Sequence, residues 1–127
     1  SLSASPDGKT IAAGYDDGAL VLIDAATAHQ SKELPMGRET GTVTWSPNGQ
    51  LLAVTSVAFD LRLFDSSNGS IIDKEDLGYD TNGTAWSPDG HYLALGVDDN
   101  TFRIYEVQPP QSPATGTSFN PPSYMGR

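Results

Sequence analysis

Cysteine is absent from the 127 residues, which excludes disulfide bonds and thiolate metal sites and tilts the expected setting toward a reducing, cytoplasmic one. Positive charge is scarce: 7 Lys and Arg stand against 16 Asp and Glu, for a formal charge of −9. Those seven, Lys9, Lys32, Arg38, Arg62, Lys74, Arg103 and Arg127, are scattered along the chain. A phosphate backbone or an anionic membrane surface therefore finds no basic patch, and neither is an expected partner. Long apolar runs are missing as well. The longest, at 19–23, falls far short of the roughly 20 residues that cross a bilayer as a helix. The chain starts at Ser1 with no charged segment leading into an apolar stretch, so no targeting signal is legible and the start reads as a cut inside a longer chain. Histidine is limited to His29 and His91, which lack metal-ligand spacing, so neither metal nor cofactor is expected.

What the sequence does have is a refrain. Residues 4–8 read ASPDG, 45–49 read WSPNG and 86–90 read WSPDG, at a step of 45 − 4 = 86 − 45 = 41. Proline fixes φ and glycine permits positive φ, so each copy is a tight turn after a short strand. The same step relates Ile23, Phe64 and Tyr105, and also Asp24, Asp65 and Glu106, so the three copies align without insertions. A fixed period of this length marks a repeated supersecondary unit.

Within a unit the pattern predicts four strands. A first strand ends at Ala4, Trp45 or Trp86; a second spans 10–14, 51–55 or 92–96, apolar enough to be central. Tyr15-Asp16-Asp17-Gly18 and Val97-Asp98-Asp99-Asn100 supply turn chemistry for the next hairpin. A third strand covers 19–23, 60–64 or 101–105, and a polar fourth covers 30–34 or 70–77, as suits an edge. The third copy lacks that fourth strand and runs into a tail holding five of the nine prolines. The expected class is all-β: a β-propeller fragment of about three four-stranded antiparallel blades, the third without its outer strand. The repeats occupy 1–107, approximately 1–41, 42–82 and 83–107, and 108–127 is a Pro/Ser/Gly-rich tail or linker.

The run WSPDGHYLALGVDDNTFRIYE at 86–106, with its two in-register copies, resembles the WD-repeat family over residues 2–106. Asp17 and Asp99 occupy the place of that family's turn aspartate. The family's strand-end Trp is replaced by Ile23, Phe64 and Tyr105, and Arg38 and Tyr79 stand where a His would follow Gly37 and Gly78. The two aspartates are thus expected to bond mainly to turn backbone N–H groups. The resemblance implies a non-catalytic scaffold for protein–protein interaction, part of a larger propeller.

Chemistry along the channel wall agrees with a binding role. Inner strands at 2–4, 42–45 and 83–86 carry no carboxylate, histidine or lysine for general acid–base work. The competing reading is a segment of a propeller enzyme whose catalytic residues lie in blades outside this chain. In a meander the second hairpin and the blade-to-blade connection emerge on one face. That gathers Asp16, Asp17, Arg38, Glu39, Phe59, Asp60, Tyr79, Asp80, Asp98 and Asp99 as the candidate partner-binding face. Phe59 is the anomaly there, an apolar ring at a hairpin tip that no turn requires. Partners are expected to be other proteins or further blades, including association that completes the ring. Pro121-Pro122-Ser123-Tyr124 also resembles the P-P-x-Y ligand of WW domains, with Pro121, Pro122 and Tyr124 as its recognition residues.

Overall fold

The computed structural model describes residues 1–108 and 118–126, with Gln108 and the second segment as backbone. Three four-stranded antiparallel sheets follow one another along the chain. The first holds β1 (Leu2–Ala4), β2 (Thr10–Gly14), β3 (Leu20–Asp24) and β4 (Gln30–Leu34). The second holds β5 (Thr40–Trp45), β6 (Leu51–Ser56), β7 (Asp60–Asp65) and β8 (Ile71–Asp76). The third runs β9 (Thr81–Trp86), β10 (Tyr92–Val97), β11 (Thr101–Gln108) and β12 (Ser118–Gly126). The strands that follow the refrain begin at Thr10, Leu51 and Tyr92, so the 41-residue step (51 − 10 = 92 − 51) is kept in three dimensions.

The refrain is a hydrogen-bonding device. Ser46 Oγ donates to Asn48 Oδ1 at 2.8 Å and accepts from Leu51 N at 3.0 Å, while Asn48 Oδ1 also accepts from Gln50 N at 3.0 Å. Ser5 with Asp7 and Ser87 with Asp89 repeat the arrangement, Thr10 N and Tyr92 N each donating to the serine hydroxyl at 3.0 Å. Gly49, at φ 74°, closes the turn with its N–H on Ser46 O at 2.9 Å. Serine, an Asx side chain and glycine are thus each required by one hydrogen bond or one dihedral angle.

Tryptophan in the refrain joins neighbouring sheets. Trp45 Nε1 donates to Ser3 O at 3.0 Å, and Trp86 Nε1 donates to Thr44 O at 3.3 Å. Both bonds run from one inner strand to the inner strand before it. Around them, two apolar seams form. In the first, Ala12, Leu20, Leu22, Leu34 and Met36 meet Trp45, Leu52, Val54 and Phe64. In the second, Leu51, Ala53, Leu61, Leu63 and Leu77 meet Leu93, Leu95, Val97, Tyr105 and Val107. Alternate residues of β6 enter opposite seams, which is why that strand is buried along its whole length.

The sequence implies a third blade without its outer strand, whereas the third sheet has four strands. The edge of β11 is covered by β12, with Ile104 opposite Tyr124 and Gln108 opposite Ser118. The segment expected as an extended arm thus returns along the third blade. The register shifts where Pro122 faces Tyr105, and an edge position is where a residue without an N–H is tolerated. The P-P-x-Y residues lie within β12, and their side chains lie outside the described residues.

Burial ranks the three refrain serines. Ser46 is buried, whereas Ser87 is half-exposed. Ser46→Ala leaves the buried Leu51 N–H without its partner, and is expected to lower stability by about 1–2 kcal/mol. Ser87→Ala should lower it by less than about 1 kcal/mol, because water replaces the hydroxyl. Urea unfolding of the two variants checks the order; equal losses would contradict it.

Candidate interaction face

The loops between β2 and β3, β6 and β7, and β10 and β11 share one face with the connections from β4 to β5 and from β8 to β9. Backbone bonds bring them together: Val57 N donates to Glu39 O at 3.2 Å, Leu77 N to Phe59 O at 2.7 Å and Asp98 N to Asp80 O at 2.9 Å. Gly18 packs so closely on the first connection that a Cβ there would lie 2.9 Å from Arg38 N.

Residues 18, 59 and 100 are equivalent in the three repeats, and all three have positive φ, at 92°, 66° and 68°. Glycine takes this conformation freely and Asn100 tolerates it; phenylalanine does not. Phe59 holds it while remaining 42% exposed, so its ring is not fully packed away in compensation. Val57 on the same hairpin and Tyr79 on the adjoining β8–β9 connection are also exposed, and the Leu77 N to Phe59 O bond brings the two loops together.

Of the ten residues expected on this face, Asp16, Asp17, Arg38, Glu39, Phe59, Tyr79, Asp80 and Asp98 are exposed and Asp99 is half-exposed. Asp17 Oδ1 accepts from Ala19 N, and Asp99 Oδ1 from Thr101 N, each at 3.0 Å. The turn aspartates therefore bond to turn backbone, as expected. Asp99 goes further, accepting from the Thr101 hydroxyl and pairing with Arg103 at 3.7 Å. The Thr101 hydroxyl bond is the leading reason its carboxyl titrates below the ordinary value.

Asp60 is the correction. It is only 3% exposed, too buried to meet a partner. Its carboxylate accepts from Ser56 Oγ and, at 3.2 Å, from Arg62 Nε, with Lys74 Nζ at 3.6 Å and Arg38 at 3.8 Å. Arg62 is itself buried and also donates to Pro35 O at 2.9 Å and Met36 O at 3.0 Å. One carboxylate thus ties β7 and β8 to the connection that enters the second blade. Sequence reasoning missed Ser56, Arg62 and Lys74. The available signal was Asp60 and Arg62 two apart on one side of a strand whose Leu61, Leu63 and Phe64 are apolar.

Burial pushes the Asp60 carboxyl up, but the Ser56 hydrogen bond and the charges of Arg62 and Lys74 outweigh it and hold the group below its ordinary value. In the channel wall, Thr42, Thr55, Thr81 and Thr84 share hydroxyl contacts of 3.0–3.4 Å. Among the described residues no three His, Cys, Asp or Glu side chains gather as metal ligands.

Stacked four-stranded meanders joined inner strand to inner strand define a segment of β-propeller. The family model for "WD domain, G-beta repeat" matches residues 1–24 and 79–106, within the first and third repeats, so these two repeats are of the WD type. The unmatched middle repeat is the one carrying Phe59, Asp60 and Arg62. Ribosome biogenesis protein BOP1 of Mus musculus is 37% identical over 59 residues, which cover 46% of this chain and 8% of that protein. The Homo sapiens protein of that name is 36% identical over the same share of each chain. The match thus spans less than a tenth of these relatives. The β-propeller domain of Myceliophteria thermophila Cps50 (Swd1) superposes with a TM-score of 0.75 at 18% identity, covering 94% of this chain and 36% of that one. A chain of the mitotic checkpoint complex gives 0.75 at 19%, covering 95% and 38%. At these identities the likeness is one of fold.

Two variants probe the local energetics. A carboxyl that titrates lower folded than unfolded contributes stability above its unfolded value, near 3.9, and loses it as pH falls through the folded value. Asp60→Asn is expected to cost about 3 kcal/mol at neutral pH, by leaving buried Arg62 uncompensated, and to flatten stability between pH ~5 and ~2. Urea titrations across that range measure both effects. At Phe59, replacement by Asn or Gly removes the strained φ and should raise stability by about 1 kcal/mol. A loss instead would show that the ring packs.

Proposed function

We propose that the chain is a non-catalytic protein–protein interaction scaffold, part of a larger WD-repeat propeller, whose partners dock on the face built from its β2–β3, β6–β7 and β10–β11 loops. The observation that carries this reading is Phe59, an aromatic kept exposed at a backbone conformation that glycine or asparagine serves in the other two repeats. An exposed aromatic on a protruding loop at a strained φ costs the fold backbone energy, and such residues are enriched at binding hot spots. The names of similar proteins agree with a scaffold role: one is a ribosome biogenesis protein and another sits in the mitotic checkpoint complex.

The repeat supports the larger ring. Leu2 and Tyr92 are exposed, while their equivalents one repeat away, Val43 and Leu51, lie in the two apolar seams. Each end blade therefore presents the kind of side chain that the middle blade buries, and further blades are the natural cover. Nucleic acid is not part of the proposal, since exposed carboxylates on the face outnumber its exposed cations.

The test compares affinity capture by the whole chain with capture by Phe59→Asn and by His91→Ala, a residue of the opposite face. Phe59→Asn should weaken at least one retained protein by about 2 kcal/mol, with His91→Ala leaving it bound. Partners that all ignore Phe59, or an activity that tracks His91, would overturn the reading.

A further inference from the structure

The partner's chemistry follows from where the face sends its own charges. We propose that the docking surface around Phe59 takes a basic protein segment that sets one aliphatic or aromatic side chain against Val57, Phe59 and Tyr79, with Lys or Arg on either side. This rests on the scaffold reading above and adds to it the character of the partner.

The centre of the surface is apolar and continuous through the backbone. Phe59 O accepts from Leu77 N at 2.7 Å, two residues before Tyr79, and Val57 N donates to Glu39 O at 3.2 Å. All three apolar side chains are exposed. The flanks are acidic, with Glu39 beside Val57, Asp80 following Tyr79, and Asp98 bonded through its N–H to Asp80 O at 2.9 Å. The nearby cations are drawn toward one buried carboxylate, Arg62 from within and the exposed Arg38 and Lys74 from the surface. Arg38, Arg62 and Lys74 all lie within 3.8 Å of the single buried carboxylate of Asp60, and Arg62 is held further by the carbonyls of Pro35 and Met36. By contrast, Asp16, Asp17, Glu39, Asp80 and Asp98 enter no ion pair among the described residues. Asn82 donates to Asp98 Oδ1 at 2.5 Å and orients that carboxylate without cancelling its charge. Asp60 offsets one of these three positive charges, and the two left over are outnumbered by the five carboxylates outside any ion pair, so the face stays net negative.

An apolar centre within a negative rim selects a partner on two counts. Burying the ring area of Phe59 and Tyr79 supplies affinity, and the rim steers basic segments and repels acidic ones. The rim acts through solvent and is screened beyond about 8 Å at physiological ionic strength, so its share of binding falls with salt while the apolar share persists.

The experiment pans a displayed random-peptide library on the whole chain and resynthesises the strongest peptides. Their affinities are then measured by fluorescence anisotropy at low and high salt. The expected peptides carry one large apolar residue between Lys or Arg residues. Phe59→Asn should weaken them about tenfold or more, and Phe59→Gly, checked for fold by circular dichroism, should do the same. Glu39→Gln with Asp80→Asn and Asp98→Asn should weaken binding at low salt and have little effect at high salt; His91→Ala should change nothing. Enrichment of acidic or uncharged peptides, or of basic peptides indifferent to Phe59, overturns the proposal and leaves the scaffold reading standing. A chain that retains no peptide overturns the proposal and removes this face from the scaffold reading as well.

Discussion

A β-sheet with apolar side chains on both faces has no stable existence on its own, and the second sheet is of this kind. Leu52 and Val54 face one way along β6, Leu51 and Ala53 the other, and β7 adds Leu61 and Leu63 on one side with Phe64 on the opposite one. Two neighbours are therefore obligatory, one per face, and the seams between them define the architecture. Stacking follows from the binary pattern of two strands. Direction of stacking is a separate matter, settled by the indole bond that runs from each refrain Trp back to the preceding inner strand.

That division explains what the sequence made legible. The refrain could be read as a turn because Ser46, Asn48 and Gly49 act on one another within five residues, where chemistry and spacing suffice. Strand order and the 41-residue step followed from repetition. Asp60 escaped because its burial depends on Lys74 from β8 and on Arg62, whose guanidinium is fixed by carbonyls 26 and 27 residues away. A lone strand carries no trace of such distant partners, and an aspartate beside a hairpin tip reads as solvent-exposed. β12 was hidden for a related reason. Nothing periodic marks 118–126, and prolines argue against a strand until an unpaired edge such as that of β11 is available.

Phe59 lies between these cases. Alignment with Gly18 and Asn100 identified it as out of place, and the positive φ shared by all three shows why. Local propensity and global fold conflict at Phe59, and such conflicts concentrate at sites that serve something other than stability. Three residues along β7 from it, Arg62 is locked into the structure through Asp60. The second repeat thus sets a strained, exposed residue directly before the aspartate that anchors Arg62.

The chain contains two tryptophans, Trp45 and Trp86, and each spans one of the two seams. The molecule therefore carries a pair of built-in optical reporters, one per joint. Trp45 is buried and Trp86 half-buried, so their emission differs in colour before anything moves. Keeping one indole at a time separates the parting of the first and second sheets from that of the second and third. Cooperativity between blades, usually inferred from a single melting curve, becomes visible here as the order in which two emission bands shift to the red.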